Sequence, residues 1–159
     1  MKEYYEITNN FPGGIFKYVR EISLFDERSF PHEFFFQISQ SFPFMKKLTL
    51  INEKLQNDKR HRKLDNDNQH LSIIEYSHLS HLNLDEAHDD YIEQFLIDTK
   101  TCLPNSVYLA VPYQALKRVT EHFTRNATRI NCAKLRCLGL GKSRIPKCVK
   151  EYFPHTKIL

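Results

Sequence analysis

Tryptophan is absent from this chain of 159 residues, and glycine occurs only four times. So little glycine excludes a collagen-like chain or a glycine-rich linker. No segment reaches the roughly 18–20 consecutive apolar residues that a membrane-spanning helix requires, and residues 1–10 lack the apolar core of a secretory signal. We therefore expect a protein without a membrane partner, located in the cytoplasm or in the nucleus.

Cysteine is also scarce, with four copies and no CxxC pair. Zinc sites and disulfide frameworks both need cysteines at characteristic spacings. The histidines at positions 78, 81 and 88 are further ligand candidates, but a strand would turn the first two toward opposite faces. We predict free thiols, no metal and no cofactor. We name no catalytic residue, because a nucleophile and its base are recognised by geometry, which spacing does not supply.

Apolar side chains, in contrast, are abundant. Hydrophobic residues make up 41% of the chain, and 12 residues are phenylalanine. This composition excludes disorder over the whole length, and the length suits one domain that needs no disulfide or metal for stability. We predict a single domain over residues 1–159.

A short apolar pattern, L-x-x-L-x-L with conservative exchanges, recurs along the chain. If Ile22, Leu48, Leu82, Leu109 and Leu138 are equivalent, the intervals between them are 26, 34, 27 and 29 residues. Three of these intervals lie within the usual period of leucine-rich repeats, about 20–29 residues. The pattern predicts one short strand per repeat. The register of the fourth strand stays open by two residues.

The segments between these strands favour the same interpretation. Residues 53–70 are almost wholly polar and predict a loop inserted after the second strand. Apolar residues at helical spacing follow the first, third and fourth strands, beginning at Phe34, Tyr91 and Leu116. We predict an α/β fold, a short leucine-rich-repeat-like solenoid arc of about five parallel strands with helices on the convex side. The alternative is an ordinary α/β sandwich without repetition.

Four segments carry a resemblance to a known family: residues 18–24 (YVREISL), 42–52 (FPFMKKLTLIN), 79–87 (LSHLNLDEA) and 130–140 (INCAKLRCLGL). Over about residues 16–140 the chain resembles the leucine-rich-repeat portion of F-box-type proteins. The F-box itself is not matched, because residues 1–14 are too few for it. The resemblance implies a substrate-recognition piece of a ubiquitin ligase receptor, with no residue here that would bind the ligase scaffold.

Two strings spell parts of nucleotide-hydrolysing motifs. Residues 85–88 read DEAH, and residues 139–143 read GLGKS, the end of a phosphate-binding loop. The loop lacks its earlier glycine, because that position is Arg136, and Pro146 interrupts the helix that should follow. The two motifs also stand in the reverse of their usual order. We therefore rank an NTPase lowest among the alternatives.

Charge is segregated along the chain. Residues 64–99 hold nine acids and no lysine or arginine, whereas residues 117–150 hold ten bases and one acid. Such a basic segment can bind phosphates, so nucleic-acid binding is the first alternative function. The acidic segment would repel a duplex that ran along the repeats, and solvated helix faces are the simpler interpretation. The opposite charges also predict weak self-association that salt suppresses.

The exposed face of the predicted sheet supplies the candidate binding residues. In a repeat solenoid, the polar positions that alternate with the leucines form the concave surface. Tyrosine and arginine are enriched at binding hot spots. We predict a non-enzymatic module that binds a protein partner through Arg20, Lys46, Lys47, Thr49, His81, Asn83, Tyr108 and Arg136.

Overall fold

The computed structural model describes residues 4–52, 72–141 and 144–159, so the predicted insertion at about 53–70 lies outside the described residues. The strands are β1 (Tyr4–Ile7), β2 (Glu21–Asp26), β3 (Lys47–Asn52), β4 (Ile74–Glu75), β5 (His81–Glu86), β6 (Thr101–Cys102), β7 (Val107–Ala110), β8 (Leu135–Gly139) and β9 (Lys157–Ile158). The helices are α1 (His32–Ser41), α2 (Asp89–Leu96), α3 (Tyr113–Val119), α4 (Arg129–Ala133) and α5 (Lys147–Tyr152).

Seven of the strands form one parallel sheet whose order follows the chain, β1-β2-β3-β5-β7-β8-β9. Every neighbouring pair in it is parallel. The strands β4 and β6 form a separate two-stranded parallel sheet. Because successive strands run the same way, each connection must return the chain to the end of the sheet where strands begin. The predicted α/β class with parallel strands is confirmed.

The strand register confirms the equivalent positions predicted from the repeats. Ile22 pairs with Leu48, Leu48 with Leu82, Leu82 with Leu109, and Leu109 with Leu138. None of these five side chains is more than 1% exposed. A slip of one residue in any strand would turn its inward side chains outward. The fourth strand takes the register centred on Leu109, which resolves the two-residue ambiguity.

Aromatic and aliphatic residues of the helices complete the core with these leucines. Phe35 of α1 and Phe95 of α2 are almost fully buried, and their rings meet edge to face with centroids 5.4 Å apart. Ile38, Ile92 and Leu116 are also completely buried. The apolar positions at helical spacing therefore face the core, as predicted. Edge-to-face aromatic pairs add specific geometry to this apolar burial.

The main sheet has seven strands where the sequence predicted about five, because β1 and β9 add one at each edge. The two residues of β9 are too few for a periodic pattern, and β1 reads YYEI, without strict alternation of apolar and polar residues. Helix α3 also ends before the predicted apolar position Phe123. Glu121, His122 and Phe123 have φ angles of 52°, 59° and 64°, and this left-handed conformation ends the right-handed helix.

Candidate binding face

Two rows of outward-facing positions cross the exposed face of the main sheet. Neighbouring strands lie about 4.8 Å apart, so each row is a continuous line across the strands. The first row holds Glu21, Lys47, His81, Tyr108 and Cys137, and the second row holds Ser23, Thr49, Asn83, Ala110 and Gly139.

The side chain of Tyr108 lies across both rows. Its ring centroid is 5.5 Å from that of His81, in the same row. A Cβ built on Gly139 in the second row would lie 2.7 Å from the Tyr108 hydroxyl, closer than real Cβ contacts come. Glycine at position 139 therefore leaves the space that the phenol occupies. The hydroxyl is held over the second row on the neighbouring strand.

The other predicted residues within the rows are polar and lie in register. Lys47 Nζ is 3.0 Å from the Glu21 carboxylate, and both side chains are about half exposed. Asn83 Oδ1 accepts a hydrogen bond from the Asp85 N–H at 3.1 Å. Thr49 lies between Ser23 and Asn83 in the second row. The structure thus brings Lys47, Thr49, His81, Asn83 and Tyr108 together on one face.

Three predicted residues lie beside the rows. Arg20 and Lys46 immediately precede β2 and β3, and the Arg20 carbonyl accepts from the Lys46 N–H at 2.7 Å. Arg136 falls at an irregularity, since Val107 pairs with Leu135 whereas Tyr108 pairs with Cys137. A bulge shifts the alternation of side chains by one residue. Arg136 is exposed, but the place beside Tyr108 in the first row belongs to Cys137.

The sequence prediction missed an exposed aromatic residue next to these bases. Phe44 precedes β3 and is 40% exposed. The Arg20 guanidinium lies over its ring, 5.4 Å from the centroid, and the His78 ring is 5.3 Å away. Residues 42–44 read FPF, and Phe42 alone enters the core. The second phenylalanine of this short FPF segment was the sequence signal that could have identified Phe44 as an exposed aromatic residue.

The charge segregation has a structural counterpart between neighbouring helices. Arg118 of α3 donates two hydrogen bonds to Asp89 of α2, at 2.7 and 3.1 Å. Arg125 donates to Glu93 of α2 at 3.3 Å. The hydrogen bond to Asp89 raises the pKa of the Arg118 guanidinium. These ion pairs use part of each charged segment and so reduce the positive charge available to nucleic-acid phosphates.

The strings that resemble nucleotide-binding motifs take local roles in the described residues. His88 caps α2, where its Nδ1 accepts from the Asp90 N–H at 3.2 Å. Asp85 and Glu86 are exposed at the end of β5, and the pKa of Asp85 is raised by partial burial and then by the charge of Glu86. In the second string, residues 142 and 143 lie outside the described residues.

Across residues 4–52, 72–141 and 144–159, no three His, Cys, Asp or Glu side chains converge on a point that could hold a metal ion. No helix in those ranges has both the length and the apolar character that a bilayer crossing requires. Comparison of the chain with protein-family models, with curated proteins and with solved structures finds no match.

Proposed function

We propose that this protein is a short repeat solenoid that binds a protein partner through the exposed face of its parallel sheet, without catalysing a reaction. One observation carries the proposal: the strand order follows the chain while equivalent residues stay in register from β2 to β8. Stacked units of this kind bury a continuous row of apolar residues behind the sheet. The alternating positions then form an extended surface.

The chemistry of the two rows favours recognition of another protein. Tyr108 offers a large amphipathic ring, and tyrosine is over-represented among residues that dominate binding energies. Its neighbours Asn83 and His81 are exposed hydrogen-bonding groups. In the second row Thr49 and Asn83 add accessible polar groups, whereas Ser23 and Ala110 are buried and the Tyr108 phenol covers Gly139. The relation to F-box-type receptors belongs to the same proposal and rests on the segments that resemble that family.

Site-specific photo-crosslinking tests this proposal. A benzophenone side chain replaces Tyr108 in one sample and Ile130 in a control; Ile130 is 55% exposed in α4. We expect a discrete adduct in extract from position 108 but not from position 130. An excess of unlabelled wild-type protein should compete for the partner and suppress the adduct. An excess of the Asn83→Trp variant, whose large side chain obstructs the face, should not. Equal labelling from both positions, or equal competition by both chains, would contradict the proposal.

A further inference from the structure

A mixed aromatic and basic surface lies where β2, β3 and β5 begin, and it meets the binding face at Lys47 and His81. We call it the strand-start ledge, and it consists of Arg20, Phe44, Lys46, Lys47, His78 and His81.

Backbone hydrogen bonds hold the ledge together across three strands. The Arg20 carbonyl accepts from Lys46 N–H at 2.7 Å and from Lys47 N–H at 2.9 Å. The Lys46 carbonyl in turn accepts from Ser80 N–H at 2.8 Å and from His81 N–H at 3.0 Å. The basic side chains of successive repeats therefore start from neighbouring points about one strand spacing apart.

Two basic side chains of the ledge, Arg20 and Lys46, form no ion pair among the described residues, although the exposed Glu75 lies near His78. Glu21 already pairs with Lys47, and exposed Lys46 forms no ion pair with another described residue. The exposed acids Asp85 and Glu86 stand at the opposite end of the six-residue strand β5. Their separation from the strand start, about 3.3 Å per residue, exceeds a Debye length of about 8–10 Å. The face is thus positive where strands start and negative where β5 ends.

A cavity of about 230 Å³ opens beside the ledge. His78 lines it and also contacts the exposed ring of Phe44. Its lining is mostly polar, because Glu75, Ser39, Gln40 and Ser77 line it together with the buried side chains Phe42, Met45 and Tyr76. The exposed carboxylate of Glu75 disfavours this cavity as a site for an acidic segment, so the apolar feature of the ledge is the exposed ring of Phe44 beside Arg20.

We propose that the strand-start ledge binds an acidic peptide segment that carries one aromatic or aliphatic anchor residue. Its carboxylates pair with Arg20 and Lys46, and the anchor packs against the exposed ring of Phe44. A nucleic acid fits this surface less well, because nucleic-acid affinity comes from the neutralisation of many phosphates, whereas the ledge offers few cations. This inference rests on the proposed function, since the ledge borders the same binding face.

Fluorescence anisotropy with defined probes tests the inference. The probe is a labelled peptide of six acidic residues with phenylalanine at its centre, and its matched forms replace phenylalanine by alanine or the acids by lysines. We expect the acidic phenylalanine peptide to bind tightest. Lys46→Glu should weaken it about tenfold because charge reversal repels the segment, and Phe44→Ala about threefold. Lys150→Glu on α5 serves as a charge-matched control and should change affinity less than twofold.

The outcomes separate this inference from the proposed function. A circular dichroism melt of each variant first establishes that the fold is kept. Equal binding of acidic and basic peptides, or equal effects of Lys46→Glu and Lys150→Glu, would overturn the acidic-partner inference. Tighter, salt-steep binding of a 15-nucleotide poly-U RNA would overturn it in favour of a nucleic acid. If no peptide binds while the crosslinked adduct from position 108 persists, the acidic-peptide inference is wrong and the proposed function is retained.

Discussion

Asn131 lies fully buried in α4, where its side chain pairs with the backbone of two neighbouring segments. Its Nδ2 donates to the carbonyls of Leu96 at 3.1 Å and Thr101 at 2.7 Å, and its Oδ1 accepts from Leu103 N–H at 3.0 Å. Asn131→Ala leaves these buried backbone groups without a hydrogen-bond partner, and each such group lowers the stability by about 1–3 kcal/mol. We expect at least about 2 kcal/mol lost in urea unfolding. The control Asn105→Ala, at an exposed residue, should lower the free energy of unfolding by less than about 0.5 kcal/mol. Equal losses for the two variants would contradict the structural role of Asn131.

Leu82 occupies the middle of the stack between Leu48 and Leu109 and is completely buried. Leu82→Ala should lower the free energy of unfolding by about 2–5 kcal/mol, because it opens a cavity that both neighbours line. The measurement is chemical denaturation followed by circular dichroism. Ile130→Ala, at a 55% exposed apolar side chain, is the control and should cost less than about 0.5 kcal/mol. If Leu82→Ala lowered the free energy of unfolding as little as Ile130→Ala, the stacked core would be refuted.

Cys132 is a buried thiol beside Tyr152, and burial raises its pKa to about 12. In the unfolded chain a thiol loses its proton near pH 8.5. The unfolded state therefore releases this proton first, and the free energy of unfolding should fall as pH rises from about 8.5 toward 12. Burial likewise raises the pKa of Tyr152 to about 12, which adds to the decline.

Cys132→Ala should make that alkaline decline shallower by up to one proton, because only the thiol contribution is removed. Urea titrations at several pH values between 8 and 11 measure the slope. Cys148→Ala, at an exposed thiol, should leave the slope unchanged. An unchanged slope for Cys132→Ala would show that the buried thiol does not control alkaline stability.

At the scale of elements, the strands β2, β3, β5, β7 and β8 were predictable because each carries large apolar residues at alternating positions. The strands β4, β6 and β9 were not, since two residues show no period, and β1 reads YYEI, which lacks the strict alternation of β7. Such short strands form only where a neighbouring strand offers hydrogen bonds, and that context is tertiary. The same limit applies to helix ends set by non-glycine residues of positive φ, such as His122.

The candidate face shows the same division between pattern and tertiary contact. Register alone predicts that Lys47, His81 and Tyr108 share one row, because alternation fixes which side chains point outward. It does not predict that Gly139 lies beneath the Tyr108 hydroxyl. It also does not predict that Arg20 stacks on Phe44. Those contacts join residues that precede or belong to different strands, and their geometry depends on loops whose conformations have no periodic signal.

An ion pair between Asp89 and Arg118 joins α2 to α3. Arg118 is well exposed, and a surface pair of this kind contributes about 0.2–1 kcal/mol. A double-mutant cycle with Asp89→Ala and Arg118→Ala should give a coupling energy in that range, decreasing in high salt. The matched cycle on Lys147 and Glu151, 3.8 Å apart and largely exposed, should give a value near zero. Equal coupling in both cycles would show that the bidentate geometry adds nothing.

On the scale of the whole molecule, some charged side chains form ion pairs within the fold, and others are exposed to solvent. Asp89 and Glu93 are taken up by arginines of the basic segment. Arg136 and Lys150 in that segment remain exposed, as do Asp85 and Glu86 in the acidic one. Opposite charges on separate parts of one surface can attract between molecules. The main sheet also ends in two edge strands, β1 and β9, and strand edges are templates for further pairing.

We therefore expect weak self-association at low ionic strength. Its dominant force is the attraction between exposed acids and bases of different molecules, which a Debye length of about 8–10 Å at physiological salt largely suppresses. Sedimentation velocity at high protein concentration should show an average mass above 18.9 kDa in low salt and a monomer in high salt. Reversing one exposed base, Lys150→Glu, should shift the low-salt profile toward the monomer. Association that persists in high salt would instead indicate pairing at the strand edges. A monomer under both conditions would show that neither the exposed charges nor the edge strands drive self-association.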